Sequence, residues 1–197
     1  MTIYRLMEGL NQKINEQCRN IERKSIEQFI ESIVATTDNR IFVNGVGRSG
    51  LVARAFAMRL MHLGFSVYCV GETITPAIHE GDLMICVSGS GETSSVVNGA
   101  RIAKEKGGKV IAITSHPSSP LGTTASVVVQ IKGRKLDDEM GRDYLTRQIV
   151  GEHEPLTPLG TLFELSSLVF LDSIVEELMR RLNKSEEHLR KFHTNLE

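Results

Sequence analysis

What the sequence lacks narrows the field first. Its 23 basic and 24 acidic residues leave a formal net charge of −1, so it offers no broad positive field to nucleic acid or to an anionic membrane. An anionic ligand would have to be held by local features. No apolar run reaches membrane-spanning length, and the opening stretch MTIYRLMEGLNQKINEQCRNIERK is too charged for the apolar core of an export signal. Cysteine is scarce and odd in number. Cys18, Cys69 and Cys86 form no CxxC pair, which argues against a disulfide framework and makes a reducing cytoplasm the expected compartment. Cys69 and Cys86 lie in the apolar runs SVYCVG and LMICVSG, where cysteine behaves as a small hydrophobe. His62, His79 and His116 have no ligand-like spacing to carboxylates or cysteines; no metal and no cofactor are expected. Internal repeats and low-complexity stretches are absent too.

What is present suits one domain spanning residues 1–197, with 41% hydrophobic and 24% charged residues, ordinary values for a globular protein. Ile3, Leu6, Met7, Leu10 and Ile14, then Ile26, Phe29, Ile30 and Ile33, recur at helical spacing and predict helix over the first 35 residues. From Arg40 the pattern changes to short β-branched runs: IFVNGVG (41–47), FSVYCVG (65–71), DLMICVSGSG (82–91), KVIAITS (109–115) and ASVVVQI (125–131). Each is apolar on both faces, as in strands buried within a parallel sheet. Helical segments at 50–64 and 93–108 alternate with them, the second stopped by Gly107-Gly108, and the alternation predicts an open α/β sheet. The Met58, Leu60 and Met61 cluster reads as helix core. Residues 132–156 are polar, without a period, and read as a lid-like connection. Thr157-Pro158 gives an N-cap and first-turn proline for a helix running to about 182, apolar nearly all round in its first half. A last segment to about 191 begins with a capping box at Ser185.

Two strand ends carry small, hydroxyl-rich loops that lead into helices: Gly45-Val46-Gly47-Arg48-Ser49-Gly50 and Ser88-Gly89-Ser90-Gly91-Glu92-Thr93-Ser94. A phosphate needs several N–H donors converging on a small volume, which glycines and a helix N-terminus supply. GVGRSG alone also fits a plain tight turn. It is neither a dinucleotide fingerprint, since no acidic residue ends the next strand at Val70, nor a Walker loop, since no Gly-Lys-Ser/Thr follows. SGSGETS packs more hydroxyls than turn chemistry needs, and points to phosphate.

With about 40 residues between its two loops, the sequence resembles the SIS domain of phosphosugar isomerases and phosphosugar-binding regulators. The blocks GRSGLVARAFAMRLMHLGF, VGETITPAI, GDLMICVSGSGET, PLTPLGTLFE and HTNLE resemble the 3-hexulose-6-phosphate isomerase family. That resemblance covers most of the chain; the opening helix contributes little to it. It implies an α/β fold of three layers, a flavodoxin-like five-stranded parallel sheet flanked by helices, and a homotetramer. It also implies interconversion of D-arabino-3-hexulose 6-phosphate and fructose 6-phosphate, with formaldehyde fixation beside a hexulose-phosphate synthase, or pentose synthesis in reverse, using the same chemistry. By the same match, Ser49, Ser88, Gly89, Ser90, Gly91, Glu92 and Thr93 hold the substrate phosphate, Glu164 is the proton acceptor, and His193 is the histidine of the C-terminal motif.

Glu164 makes sense without the family. Moving a carbonyl from C3 to C2 requires one base near both carbons, and the apolar neighbours in TLFELSSLVFL strip water from the carboxylate and favour its taking up a proton. A buried salt bridge would equally explain an acid there. His193, near a polar end, reads as exposed from the residues alone; the resemblance implies that its tail reaches a neighbouring subunit's site. Glu72 could line the same cleft, Glu152 is a second candidate base beside His153, and Arg48 fits either phosphate or a neighbouring carboxylate. Two other readings share the fold: an isomerase of another phosphosugar, and a sensor without turnover. A sensor predicts a fused effector domain, for which this chain has no room, and it could dispense with Glu164. The nearly all-apolar helix at 157–182 and the amphipathic N-terminal helix predict at least a dimer.

Overall fold

The computed structural model describes residues 2–133 and 160–195. Its strands are β1 (Arg40–Gly45), β2 (Ser66–Cys69), β3 (Leu83–Val87), β4 (Lys109–Thr114) and β5 (Val127–Gln130). They form one sheet in the order β2-β1-β3-β4-β5, with every neighbouring pair parallel. This is the flavodoxin-like order, and each of the five apolar runs supplies one strand. The helices are α1 (Ile3–Arg19), α2 (Arg23–Val34), α3 (Gly47–His62), α4 (Ser94–Glu105), α5 (Pro120–Thr124), α6 (Thr161–Arg181) and α7 (Glu186–Lys191).

Strand side chains alternate between two cores. Ile41, Val43, Leu83, Ile85, Val87, Ile111 and Ile113 face one, where Phe29, Ile33, Phe56, Leu60, Phe170 and Leu178 of α2, α3 and α6 cover them. Phe42, Met84, Cys86, Val110 and Ala112 face the other, beneath Val96, Ala100 and Ala103 of α4 and Leu121 of α5. Helices on both faces are why the strands carry no polar alternation. Burial pushes the Cys86 thiol up to about 12, which suits a core hydrophobe and not a nucleophile. Strands β2 and β5 sit at the edges and are only partly buried, so Cys69 is half-buried where the sequence suggested core.

The structure departs from the sequence expectations in several places. Helix does not run unbroken through the first 35 residues: it breaks at Asn20–Glu22, where Ile21 turns into the core. Of the methionine cluster only Leu60 is buried, while Met58 and Met61 are exposed, because the face of α3 bearing Ala53, Phe56 and Leu60 is the one turned to the sheet. The Gly107 stop is as expected: at φ 82° its amide reaches the Lys104 carbonyl and Gly108 reaches Ala103, closing α4 with a Schellman pair. Ser185 caps α7 by accepting the His188 amide, but with a histidine at that position the capping box lacks its reciprocal acid. Thr157, Pro158 and residues 134–156 lie outside the described residues; the described part of the long helix begins at Thr161, after Gly160.

At the amino edge of the sheet Asp82 fastens β1 to β3. Its Oδ1 accepts the Arg40 amide at 3.0 Å and Nε at 3.3 Å, while Oδ2 accepts Arg40 Nη2 at 2.9 Å and the His79 amide at 2.8 Å. Burial alone would push this carboxyl up; the two amides and the guanidinium outweigh it and hold Asp82 below the ordinary aspartate range.

Candidate active site

Both glycine-rich loops leave the carboxyl edge of the sheet. The loop after β1 enters α3 on one face, and the loop after β3 enters α4 on the other. The crevice between β1 and β3 is therefore the switch point of the topology, where ligands of open parallel sheets bind. Gly45 and Gly50 let the first loop close tightly, since a side chain at Gly50 would meet the Gly45 carbonyl oxygen at 2.7 Å. Gly47, Arg48 and Ser49 then form the first turn of α3, whose amides have no partner within the helix. Ser49 is half-buried there.

The second loop is braced from within. Ser88 is buried, its Oγ lying 3.2 Å from Thr93 Oγ1 and accepting the Gly91 amide at 3.2 Å. The Glu92 amide donates to Ser90 Oγ, and the Gly89 carbonyl accepts from the Ser115 amide and the Thr114 hydroxyl. A Cβ on Gly91 would collide with Ser119 Oγ at 2.0 Å. Ser88 and Gly91 thus hold the loop's shape, and the Gly91 amide is already engaged. The groups that remain to meet an anion are the half-buried Ser90 and Thr93, Ser49, and the first-turn amides of α3 and α4. The exposed carboxylate of Glu92 adds negative charge, so only its backbone suits a phosphate.

Gly89 has a different task. A Cβ on it would lie 3.1 Å from the Phe163 ring, so its bare Cα is what seats the start of α6 against the loop. That contact brings Glu164 to the same edge. Glu164 is 9% exposed, and its Oε2 accepts Arg48 Nε at 2.5 Å. The structure therefore settles which partner Arg48 has in the free protein: a carboxylate. The apolar surroundings expected of Glu164 are half of the picture, since a guanidinium reaches it from α3. An acid, a guanidinium and two hydroxyl loops thus converge at one edge, an arrangement able to hold an anionic group and take up a proton beside it.

The structure does not bring His193 to this place. Its ring stacks on that of His62, with centroids 5.3 Å apart and planes at 25°. His62 ends α3, fourteen residues beyond Arg48, which is roughly 21 Å of helical rise. The two histidines line a cleft of about 430 Å³ with Arg59, Asp172, Glu176 and Arg190, at the opposite end of α3 from Glu164. Burial first, and then the charges of His193 and Arg59, lower the pKa of His62. Glu72 follows β2 at the carboxyl edge and lies 3.7 Å from Arg54. Glu152 and His153 lie outside the described residues. Among the described residues no three histidine, cysteine or acidic side chains are grouped to hold a metal ion, and no helix is long and apolar enough to cross a membrane.

Sequence reasoning missed Gly160 and the packing task of Gly89. For Gly160 a signal existed, a glycine four residues before an acid at a helix start. For the Arg48–Glu164 pair, 116 residues apart in sequence, nothing local announced the partner.

Comparison with known proteins identifies the family. Residues 36–137 match the SIS domain family. An Aeropyrum pernix protein without an assigned activity is 45% identical over 99% of this chain and 92% of its own. The 3-hexulose-6-phosphate isomerase of Bacillus subtilis is 37% identical over 94% of each chain. Among solved structures, a Methanococcus jannaschii protein superposes with a TM-score of 0.77 at 35% identity, covering 97% of this chain and 98% of that one. Its structure inferred a molecular function of 3-hexulose-6-phosphate isomerase.

Proposed function

The chain belongs to the 3-hexulose-6-phosphate isomerase family of SIS-domain proteins, and from that premise we propose that it interconverts D-arabino-3-hexulose 6-phosphate and fructose 6-phosphate. The observation that carries the reading is the seating of one buried carboxylate, Glu164, against the two loops at the β1/β3 switch point. Ser49, Ser90, Thr93 and the first-turn amides of α3 and α4 grip the phosphate, and Ser88, Gly89 and Gly91 keep the loop in shape. Anchoring the phosphate puts the sugar's C2 and C3 within reach of Glu164. The carboxylate takes the C2 proton of the 3-ketose to give an enediolate spanning C2 and C3, the hydroxyl proton on O2 passes to O3, and the protonated carboxyl returns its proton to C3, leaving the 2-ketose. Nothing is oxidised or reduced overall, and no cofactor is required.

In this reading the enzyme is cytoplasmic and works as a homotetramer, in sequence with a hexulose-phosphate synthase or in the reverse direction. Ile3, Tyr4 and Met7 on α1 and Leu51, Met58 and Met61 on α3 are exposed in the single chain and supply apolar surface for subunit contact. His193 stands far from its own chain's Glu164, which supports its serving a neighbouring subunit.

The test is incubation with fructose 6-phosphate in deuterium oxide without added metal, followed by NMR. Deuterium at C3 together with a 3-keto product is the expected result. Exchange at C1 alone would point to an aldose–ketose isomerase of another phosphosugar, and binding without exchange to a sensor. In the same assay Thr93→Ala should raise KM roughly tenfold with little change in kcat, since it removes binding that ground and transition states share. Ser88→Ala should do likewise and also lower stability by about 1 kcal/mol, because it removes the buried hydroxyl that joins Thr93 Oγ1 and leaves the Gly91 amide only the Ser88 carbonyl. An unchanged KM in both removes this loop from the phosphate site.

A further inference from the structure

We propose that Gly160 is a positioning residue for Glu164, forming with Arg48 a two-sided mount that aims the carboxylate; this rests on the isomerase reading above. Gly160 is the N-cap of α6, in the left-handed conformation at φ 77°, and Glu164 lies one turn further on. A Cβ built on Gly160 would stand 2.8 Å from Oε1, 3.1 Å from Cδ and 3.2 Å from Oε2 of Glu164. The carboxylate thus lies across the bare Cα of Gly160, folded back over the start of its own helix. Arg48 meets the same group from α3 through Oε2. One side is closed by contact with Gly160, the other by an ion pair, and the Glu164 backbone is fixed by its amide on the Gly160 carbonyl at 3.1 Å.

What a side chain at residue 160 would strike decides how its loss should appear. The atoms in its way belong to the far end of a flexible side chain, not to backbone. Glu164 can swing aside, so the collision itself costs the fold little. It does move the proton acceptor off its place, and a misplacement of about 1 Å can cost on the order of a hundredfold in rate. Gly160 carries no group that could touch a substrate chemically; its contribution is the space it leaves.

Two variants separate backbone strain from the collision. Gly160→Ala brings both. Gly160→Asn keeps the Cβ but tolerates the left-handed region, as Asn183 does in this protein at φ 51°. Both should retain KM for fructose 6-phosphate within about threefold and lose kcat by roughly 10- to 100-fold, with Gly160→Asn melting closer to the wild type than Gly160→Ala. Added to Glu164→Gln, either change should lower activity no further, since the group it mounts is already gone. Retained kcat in Gly160→Asn, a raised KM at constant kcat, or full additivity with Glu164→Gln overturns the proposal while leaving the isomerase reading in place. A wild type that turns over neither ketose phosphate overturns the isomerase reading, and this role with it.

Discussion

Glu164→Gln should lose at least about a hundredfold and up to roughly ten-thousandfold in kcat, the range a positioned general base contributes, while KM for fructose 6-phosphate stays within about threefold. The split follows from geometry. Glutamine has the shape of glutamate and can still accept from Arg48 Nε, so the start of α6 keeps its seat against Gly89. In the proposed reading the phosphate is gripped by other residues, on two other loops. What disappears is the lone pair basic enough to take a carbon-bound proton. The fold should feel little of it, because the Arg48 side chain is 57% exposed and an ion pair with one end in water contributes at most about 1 kcal/mol. Solvent deuterium exchange into fructose 6-phosphate measures the chemistry directly. Exchange at the wild-type rate in this variant would exclude Glu164 as the base and turn attention to Glu72 or Glu152.

Asp82→Ala should be the most destabilising single change at a polar residue, by about 3 kcal/mol, the lower end of the range for breaking a buried ion pair, because the Arg40 end is partly open to water. Removal of the carboxylate leaves the Arg40 and His79 amides and the guanidinium without their acceptor at the amino ends of β1 and β3. In a domain of this size that corresponds to a melting temperature lower by roughly 6–12 °C. The pH dependence has a definite sign. Asp82 is held below its ordinary value in the folded state, so the unfolded chain binds more protons in mild acid. Its stabilisation is complete above the ordinary aspartate value of about 4 and is lost as pH falls through the lower folded value. Urea unfolding at pH 7 and between pH 5 and 3 should show the difference between wild type and variant shrinking towards the acid end. A difference below about 1 kcal/mol at pH 7, or one that grows in acid, would contradict this account.

In the proposed reading the two loops place the chemistry at one edge of the sheet although no charge patch marks it in the sequence. Net charge is near zero, and the proposed anion site draws on backbone amides and hydroxyls, which add no formal charge. Such a site is legible as spacing and composition in a way that a distributed electrostatic surface is not. The glycines within it were legible only as a group. Their tasks differ: Gly45 and Gly50 close a turn, Gly91 avoids Ser119, Gly89 receives Phe163, and Gly160 receives the carboxylate.

The sequence by itself determined the strands, the alternation with helices, the two loops and the singular acid in TLFE, because each depends on neighbours a few residues away. A strand covered on both faces must be apolar at successive positions, and a helix stop needs a residue such as Gly107 where the chain turns left-handed. Tertiary structure alone decided which face of α3 meets the sheet, placing Leu60 inside and Met58 and Met61 outside. It also chose Glu164 as the partner of Arg48 and stacked His193 on His62, far from the site it was matched to. These outcomes depend on how α3, α6 and the C-terminal tail pack across one another. Packing is a sum over contacts between segments a hundred or more residues apart, and no local pattern carries that sum.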